Sequence, residues 1–277
     1  MQFISLGIVL YKNSREEIFK CLDAIAYQDY PLEQIEVLIR DQGGESLQWV
    51  EEWILQFPNK FKIKITEGEN IGFGAGHNML FKARSIQSKA YICLNPDALL
   101  HPSCLSNLYQ FAQHHNWHGL FEGVQEPVMQ PKFYDRSTGE TEWCCGACLL
   151  IPTDIFTKLQ GFDPHFFMYC EDVDLSWRAR AQNIPCYLCG DALFYHYVGD
   201  RSDRVEMACY SHYLLALKWG SPQNQLESAN RLLAIHPEKA SMQIKNLESI
   251  LPMPSEDILK VQPNFDQGDV YAQRLWI

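Results

Sequence analysis

Three carboxylates stand close together in residues 166–180, FFMYCEDVDLSWRAR: Glu171, Asp172 and Asp174. The pattern after the aromatic run is helical, so these acids fall in a first helical turn, where the macrodipole favours negative charge. Asp174 precedes Arg178 by four residues, the order and spacing of a helix-surface ion pair. Glu171 lies three before Asp174 and shares its side. Asp172 is about 200° around the helix from Asp174 at 3.6 residues per turn and has no helical partner. An acidic cap is one reading of this carboxylate. The other is a general base, a carboxylate placed to take a proton from an attacking hydroxyl.

Other residues with chemical potential stand at the ends of apolar runs. Asn95-Pro96-Asp97 follows AYICLN (90–95), and Pro96 removes a ladder donor, so Asp97 is pushed out at a strand tip. A lone carboxylate there suits a hard cation beside a diphosphate, although the same tripeptide is an ordinary turn. His196 ends a later run before Val198-Gly199, as a ligand or a satisfied edge histidine. Arg201 and Arg204 follow, facing a phosphate or pairing with Asp200 and Asp203. The loop NIGFGAGHN (70–78) has its third glycine one residue too early for a dinucleotide fingerprint and follows the third strand, which makes a Rossmann oxidoreductase a poor match. It supplies backbone freedom and then a helix N-terminus. Cys145/Cys148 and Cys186/Cys189 have zinc-like spacing, but they sit in apolar strand patterns where residues three apart face opposite ways. They read as small buried hydrophobes.

These tips need a scaffold. FISLGIVLY, IEVLIR (35–40), FKIKIT (61–66) and AYICLN read as strands. SREEIFKCLDAIAYQ, LQWVEEWILQF, the residues after the glycine loop, and 102–115 read as helices. Strand and helix alternating in this way predict βαβ units and a mostly parallel sheet flanked by helices, with ligands at the strands' carboxyl ends. Residues 119–139 have no clear period and are expected to be a loop over the site. TEWCCGACLLIP (141–152) returns to strand. From about residue 206 three helical patterns form a C-terminal appendage, so the chain divides into 1–205 and 206–277.

Composition narrows the function. The chain has 277 residues, 47% of them hydrophobic, with a net charge of −11. Nucleic acid and an anionic membrane are poor whole-surface partners for such a charge, and an anionic ligand needs a cation or a helix N-terminus. The first residues lack the features of a signal peptide, and no apolar run approaches the ~20 residues that span a bilayer. A soluble cytoplasmic protein with reduced thiols is expected, with peripheral contact at the inner face of the cytoplasmic membrane left open.

In this order, VLYKNS (9–14), DQGG (41–44), NIGFGAGHN, LNPDALL (94–100), WCCGACLLIP (143–152), GFDPHFFMYCEDVDLSWRAR (161–180) and FYHYVG (194–199) resemble the family 2 glycosyltransferases of GT-A fold, a Rossmann-like α/β class. The likeness is greatest to their rhamnosyltransferase-like branch and covers about residues 3–215. It implies inverting transfer of a sugar from a nucleotide sugar to a saccharide or lipid-linked saccharide hydroxyl in polysaccharide biosynthesis. Tyr11 and Asp41 would contact the nucleoside. Asn70, Gly72, Gly74, Asn78, Asn95, Trp143, Gly146 and Glu171 would complete the donor site, with Trp143 stacking on a sugar or belonging to the core. Asp97 and His196 would hold Mn²⁺ or Mg²⁺, with Asn95 replacing the first acid of the family's D-x-D motif. Asp172 falls on the catalytic base. The donor expected is dTDP-rhamnose. A UDP-sugar (galactofuranosyl or N-acetylhexosaminyl transfer) and a catalytically silent scaffold are the alternatives, and a homodimer through the terminal helices is left open.

Overall fold

The computed structural model describes residues 1–58, 60–130, 132–196, 204–247 and 249–265. Val198-Gly199, Asp200, Arg201, Asp203 and the end of the expected appendage lie outside them. The first half alternates as its pattern requires: β1 (Ile4–Leu10), α1 (Arg15–Ala26), β2 (Ile35–Asp41), α2 (Leu47–Gln56), β3 (Lys62–Glu67), α3 (Phe73–Ala83) and β4 (Ala90–Leu94). β1 and β2 are buried along their whole length, as strands covered on both faces must be. Ile4, Leu6, Ile8 and Leu10 enter one core cluster while Val9 enters the other, the period of two that a strand imposes. Ser14 caps α1 in a reciprocal box with Glu17.

The second half adds β5 (Ala98–Leu100), α4 (Cys104–His114), β6 (Leu120–Glu126), β7 (Glu140–Thr141), β8 (Cys148–Pro152), α5 (Thr153–Lys158), α6 (Glu171–Ala181) and β9 (Cys186–His196). The sheet runs β3-β2-β1-β4-β8-β6-β9-β5, with β7 on β9. β1 to β4 are mutually parallel and β6 is parallel to β9, whereas β8 is antiparallel to both β4 and β6. This is the mostly parallel α/β sheet expected, with reversed strands in its second half.

Two expectations need correction. Residues 119–139 do not form one loop over the site, because they begin with β6, which is buried almost throughout. Its polar residues hid it: Glu122 and Gln125 are buried, and each is satisfied by a partner distant in sequence. Residues 141–152 are not one strand either. A turn over 142–147 precedes β8, and its N–H groups are taken by side chains from elsewhere.

α1, α2 and α4 cover one face of the sheet, and α3, α5 and α6 the other. Four helices follow: α7 (Val205–Lys218), α8 (Pro222–Ile235), α9 (Pro237–Leu247) and α10 (Ser255–Val261). They share a third cluster with Val173 and Trp177 of α6. α6 is therefore enclosed between the sheet and these helices. The ten cysteines are free and all but Cys145 are buried. Among the described residues no three His, Cys, Asp or Glu side chains converge on a metal position, and no helix is long and apolar enough to cross a membrane.

Candidate active site

Parallel β1, β2 and β4 end on the same edge, so the segments after them converge with the end of β9. A cleft of about 630 Å³ opens there. Tyr11, Gln42, Asn70, Gly72, Asn95, Asp97 and His196 line it on the strand-end side. Trp143, Gly146, Phe167, Glu171 and Asp172 line it from the 142–147 turn and the start of α6. Arg204, with Met207 and His212 of α7, closes a further side.

Asp97 and His196 meet at the strand tips, Nε2 to Oδ1 3.1 Å. The imidazole orientation is set from behind. Gln125 donates its amide to the Val128 carbonyl at 2.7 Å, which turns its oxygen toward His196 Nδ1 at 2.9 Å. Nδ1 therefore carries a proton, and Nε2 is the ring nitrogen turned to the Asp97 carboxylate. Two electron-rich atoms at that separation need a cation between or beside them, either a proton or a metal. Asn95 Nδ2 lies 3.3 Å from the same Nε2. One carboxylate and one imidazole make a sparse set, which suits a cation whose remaining positions go to water and ligand phosphate oxygens. These residues fit the implied divalent ion.

Asp172 occupies the start of α6. Tyr169 (φ 71°) and Cys170 (φ 64°) enter the helix in left-handed geometry, which side-chain-bearing residues adopt at a cost of order 1–3 kcal/mol each. Asp172 Oδ2 accepts from Gly146 N at 2.8 Å and Oδ1 from Val173 N at 2.9 Å. It is half-buried with two backbone donors, rather than exposed and unpartnered as its helical position alone suggested. Burial raises its pKa above the ordinary carboxylate value, against the pull of those N–H bonds. Glu171 is buried, its Oε2 has no partner, and burial followed by the Asp172 charge pushes it well above the ordinary value. Both carboxyls are shifted up, Glu171 the further of the two.

Asp174 departs from the surface pairing expected of it. It is fully buried, with Arg178 Nε at 2.7 Å, Lys218 Nζ at 2.8 Å and Trp219 Nε1 at 3.0 Å. Lys218 and Trp219 arrive with α7, which helix periodicity could not foresee.

The structure brings together most of the residues singled out from sequence, but not all. Asp41 is absent from the cleft wall: Oδ1 accepts from Gly43 N and Gly44 N, and Oδ2 from Ser46 N and Leu47 N, which anchors the start of α2. Gln42 takes the wall position beside it, holding Asn70 and the Gly72 carbonyl. Asn78 is structural, exchanging bonds with the backbone of Phe162 at 2.8 and 2.9 Å. Gly74 lies inside α3, where a Cβ would come 2.8 Å from that of Phe162. Of Gly72, Gly74 and Gly146 it is Gly72 that uses left-handed freedom, at φ 90°, and a side chain there would strike the Phe167 carbonyl. The first donor of α3 is also taken, Phe73 N to Phe167 O at 2.9 Å. Trp143 is buried and shares the α6–α7 core while edging the cleft. Sequence reasoning missed Gln42, Gln130, Met207 and His212. Gln42 was readable as the neighbour of Asp41 with the opposite facing, but the residues of α7 carry no local signal.

Residues 6–175 match the profile of the family described as Glycosyl transferase family 2. The chain is 23% identical over 212 residues to the low-salt glycan biosynthesis hexosyltransferase Agl10 of Haloferax volcanii, covering 67% of this chain and 64% of that protein. It is 25% identical over 174 residues to an N-acetylglucosaminyl-diphospho-decaprenol L-rhamnosyltransferase of Mycobacterium tuberculosis, covering 56% and 50%. It thus spans less than two thirds of the length of either. Among solved structures, the mannosyltransferase PcManGT from Pyrobaculum calidifontis, in complex with GDP-Man and Mn²⁺, superposes with a TM-score of 0.65 at 17% identity over 93% of this chain and 78% of that one. At that identity the likeness shows the fold, which is GT-A.

Proposed function

The chain belongs to glycosyl transferase family 2, and from that premise we propose that it transfers rhamnose, with inversion, from dTDP-rhamnose to a saccharide or lipid-linked acceptor hydroxyl in cell-surface polysaccharide assembly. The observation that carries the reading is Asp172: a carboxylate, oriented by two backbone N–H groups, opening on the same cleft as the Asp97–His196 pair.

Inversion requires attack on the anomeric carbon from the face opposite the leaving group. In this reading Asp172 takes the acceptor's proton as its oxygen forms the new bond to that carbon. The bond from the carbon to the diphosphate breaks, and the electron pair leaves with the nucleoside diphosphate. Raised basicity suits the task, because a base whose pKa approaches the working pH transfers protons more effectively. Bound Mn²⁺ or Mg²⁺ would supply charge neutralisation to the departing diphosphate. Asp97 and His196 would hold it, and Gln125 keeps the His196 lone pair aimed at it. A local cation also accounts for how a protein of net charge −11 holds a dianion. Tyr11, Gln42 and Asn70 line the strand-end side, where the nucleoside would lie. The rhamnosyl assignment draws on the family-branch likeness and on the name of the mycobacterial relative.

Thermal melting in the presence of nucleotide sugars with Mn²⁺ tests the proposal. dTDP-rhamnose should raise the melting temperature in Mn²⁺, and Asp97→Ala should lose most of that rise in Mn²⁺ but little in EDTA. Stabilisation by UDP-sugars alone would overturn the donor, and equal losses in both media would overturn the metal role.

A further inference from the structure

Behind the cleft, the backbone of the 142–147 turn is held at four successive residues by side chains from three separate segments. Lys132 Nζ donates to the Trp143 carbonyl at 2.9 Å. Cys144 N donates to Ser176 Oγ at 3.0 Å, and that hydroxyl in turn donates to the Asp172 carbonyl at 2.7 Å. Cys145 N donates to Glu122 Oε2 at 2.9 Å. Gly146 N then donates to Asp172 Oδ2 at 2.8 Å. Glu122, on β6, and Lys132 form an ion pair whose side chains are both 2% exposed. The Lys132 ammonium also lies over the Trp143 ring, 4.5 Å from its centroid.

We infer that Glu122 and Lys132 are positioning residues for the Asp172 carboxylate, acting through the 142–147 turn. The inference rests on Asp172 being the base. A buried ion pair is a weak source of net stability, since desolvating two charges offsets most of their attraction. Its specific consequence here is geometric. One Glu122 oxygen holds both the ammonium and the N–H of residue 145, so the next N–H is aimed at Asp172. The pair also bears on the charge at that site. Burial would lower Lys132, but Glu122, together with the neighbouring Cys144 and Cys145 thiols, outweighs burial and keeps the lysine above its ordinary range. The ammonium favours the ionised form of Asp172.

Asp172 meets other titratable groups. Glu171 adjoins it on α6, where burial and the Asp172 charge push it well above the ordinary carboxylate value. The thiols of Cys93 on β4 and Cys145 on the turn feel its charge, and burial raises both well above their usual range, so neither ionises. Glu17 of α1, Asp97, His196, Arg204, and His212 of α7 line the same cleft. Glu122 and Lys132, by contrast, stand off the cleft wall and can be neutralised without altering its lining.

The experiment uses the full chain labelled with ¹³C at aspartate carboxyls, with the Asp172 resonance assigned by its loss in Asp172→Asn. Lys132→Met removes the cation and should raise the Asp172 titration midpoint. Glu122→Gln leaves the ammonium uncompensated and should lower it, each by about half a pH unit. The double variant avoids an unpaired buried charge and should return close to the native midpoint. In parallel, kcat for nucleotide release from dTDP-rhamnose in Mn²⁺ should fall about tenfold to a hundredfold in each single variant, with donor KM within twofold. Unmoved midpoints in the variants that fold would refute the inference, even if their melting temperatures fall. Asp172→Asn that still transfers sugar would instead refute the base assignment, and the carboxyl titration needs no donor.

Discussion

Asp172→Asn is the sharpest perturbation the site offers, because it separates chemistry from folding. Asparagine keeps the volume but has one carbonyl oxygen where aspartate has two acceptors, so only one of the bonds from Gly146 N and Val173 N survives. Losing one such bond costs about 1 kcal/mol. One gain offsets it: the half-buried charge disappears. Stability should therefore stay within about 1 kcal/mol of native, a melting shift of a few degrees at most for a chain of this size. Transfer should fall by about 10²–10⁴, the contribution of a positioned general base. Donor binding should hold within a fewfold, because the base acts on the acceptor. Calorimetric titration of the donor with Mn²⁺ gives binding, and initial rates of nucleotide release with and without acceptor give chemistry. Transfer above a tenth of native, or a collapse of donor affinity in parallel with rate, would refute the reasoning.

Two further outcomes follow from charges the cleft does not use. Asp174→Asn, two residues along the same helix, should behave in the opposite way. It strips the shared partner from Arg178 and Lys218 in a fully buried site, at a cost of about 3 kcal/mol, trimmed because Arg178 keeps the Leu159 and Gly161 carbonyls. Its melting temperature should drop by roughly 6–12 °C, and a drop below 2 °C would show that the buried network is not holding α7 to α6. Asp163 contributes to the acid dependence. Burial pushes it up, but Lys218 Nζ at 2.5 Å and the His165 N–H outweigh burial and hold its pKa at about 2. A depressed folded-state value stabilises the protein above the unfolded value near 4, and that stability is lost as pH falls from there through about 2, amounting to about 2 kcal/mol. Chemical denaturation between pH 5 and 2 should show a shallower loss in Asp163→Asn than in the native chain, and identical slopes would count against it.

The parts of this protein that could be read locally are those whose cause is local. β1, β2 and β4 are runs of branched apolar residues bounded by turn chemistry, and Ser14 with Glu17 spells a helix start. From these the parallel sheet follows, and with it the edge where the segments after β1, β2 and β4 meet. That edge takes in Asp97 by pattern alone, whereas His196 and Asp172 join it in the sequence only through the family likeness. Other features depend on partners brought from far along the chain. β6 looks like loop because Glu122 and Gln125 interrupt its apolar pattern, and burial becomes affordable only once Lys132 and His196 arrive. Asp41 looks like a ligand contact until four backbone N–H groups close around it. Asp174 looks like a surface pair until α7 covers it. In each case a polar side chain has a choice between water, ligand and protein. Sequence pattern sets which elements form and which way their faces turn, because period and propensity are properties of neighbours along the chain. The assignment of each polar group to one of those three environments is made by tertiary packing, because desolvation depends on what is overhead.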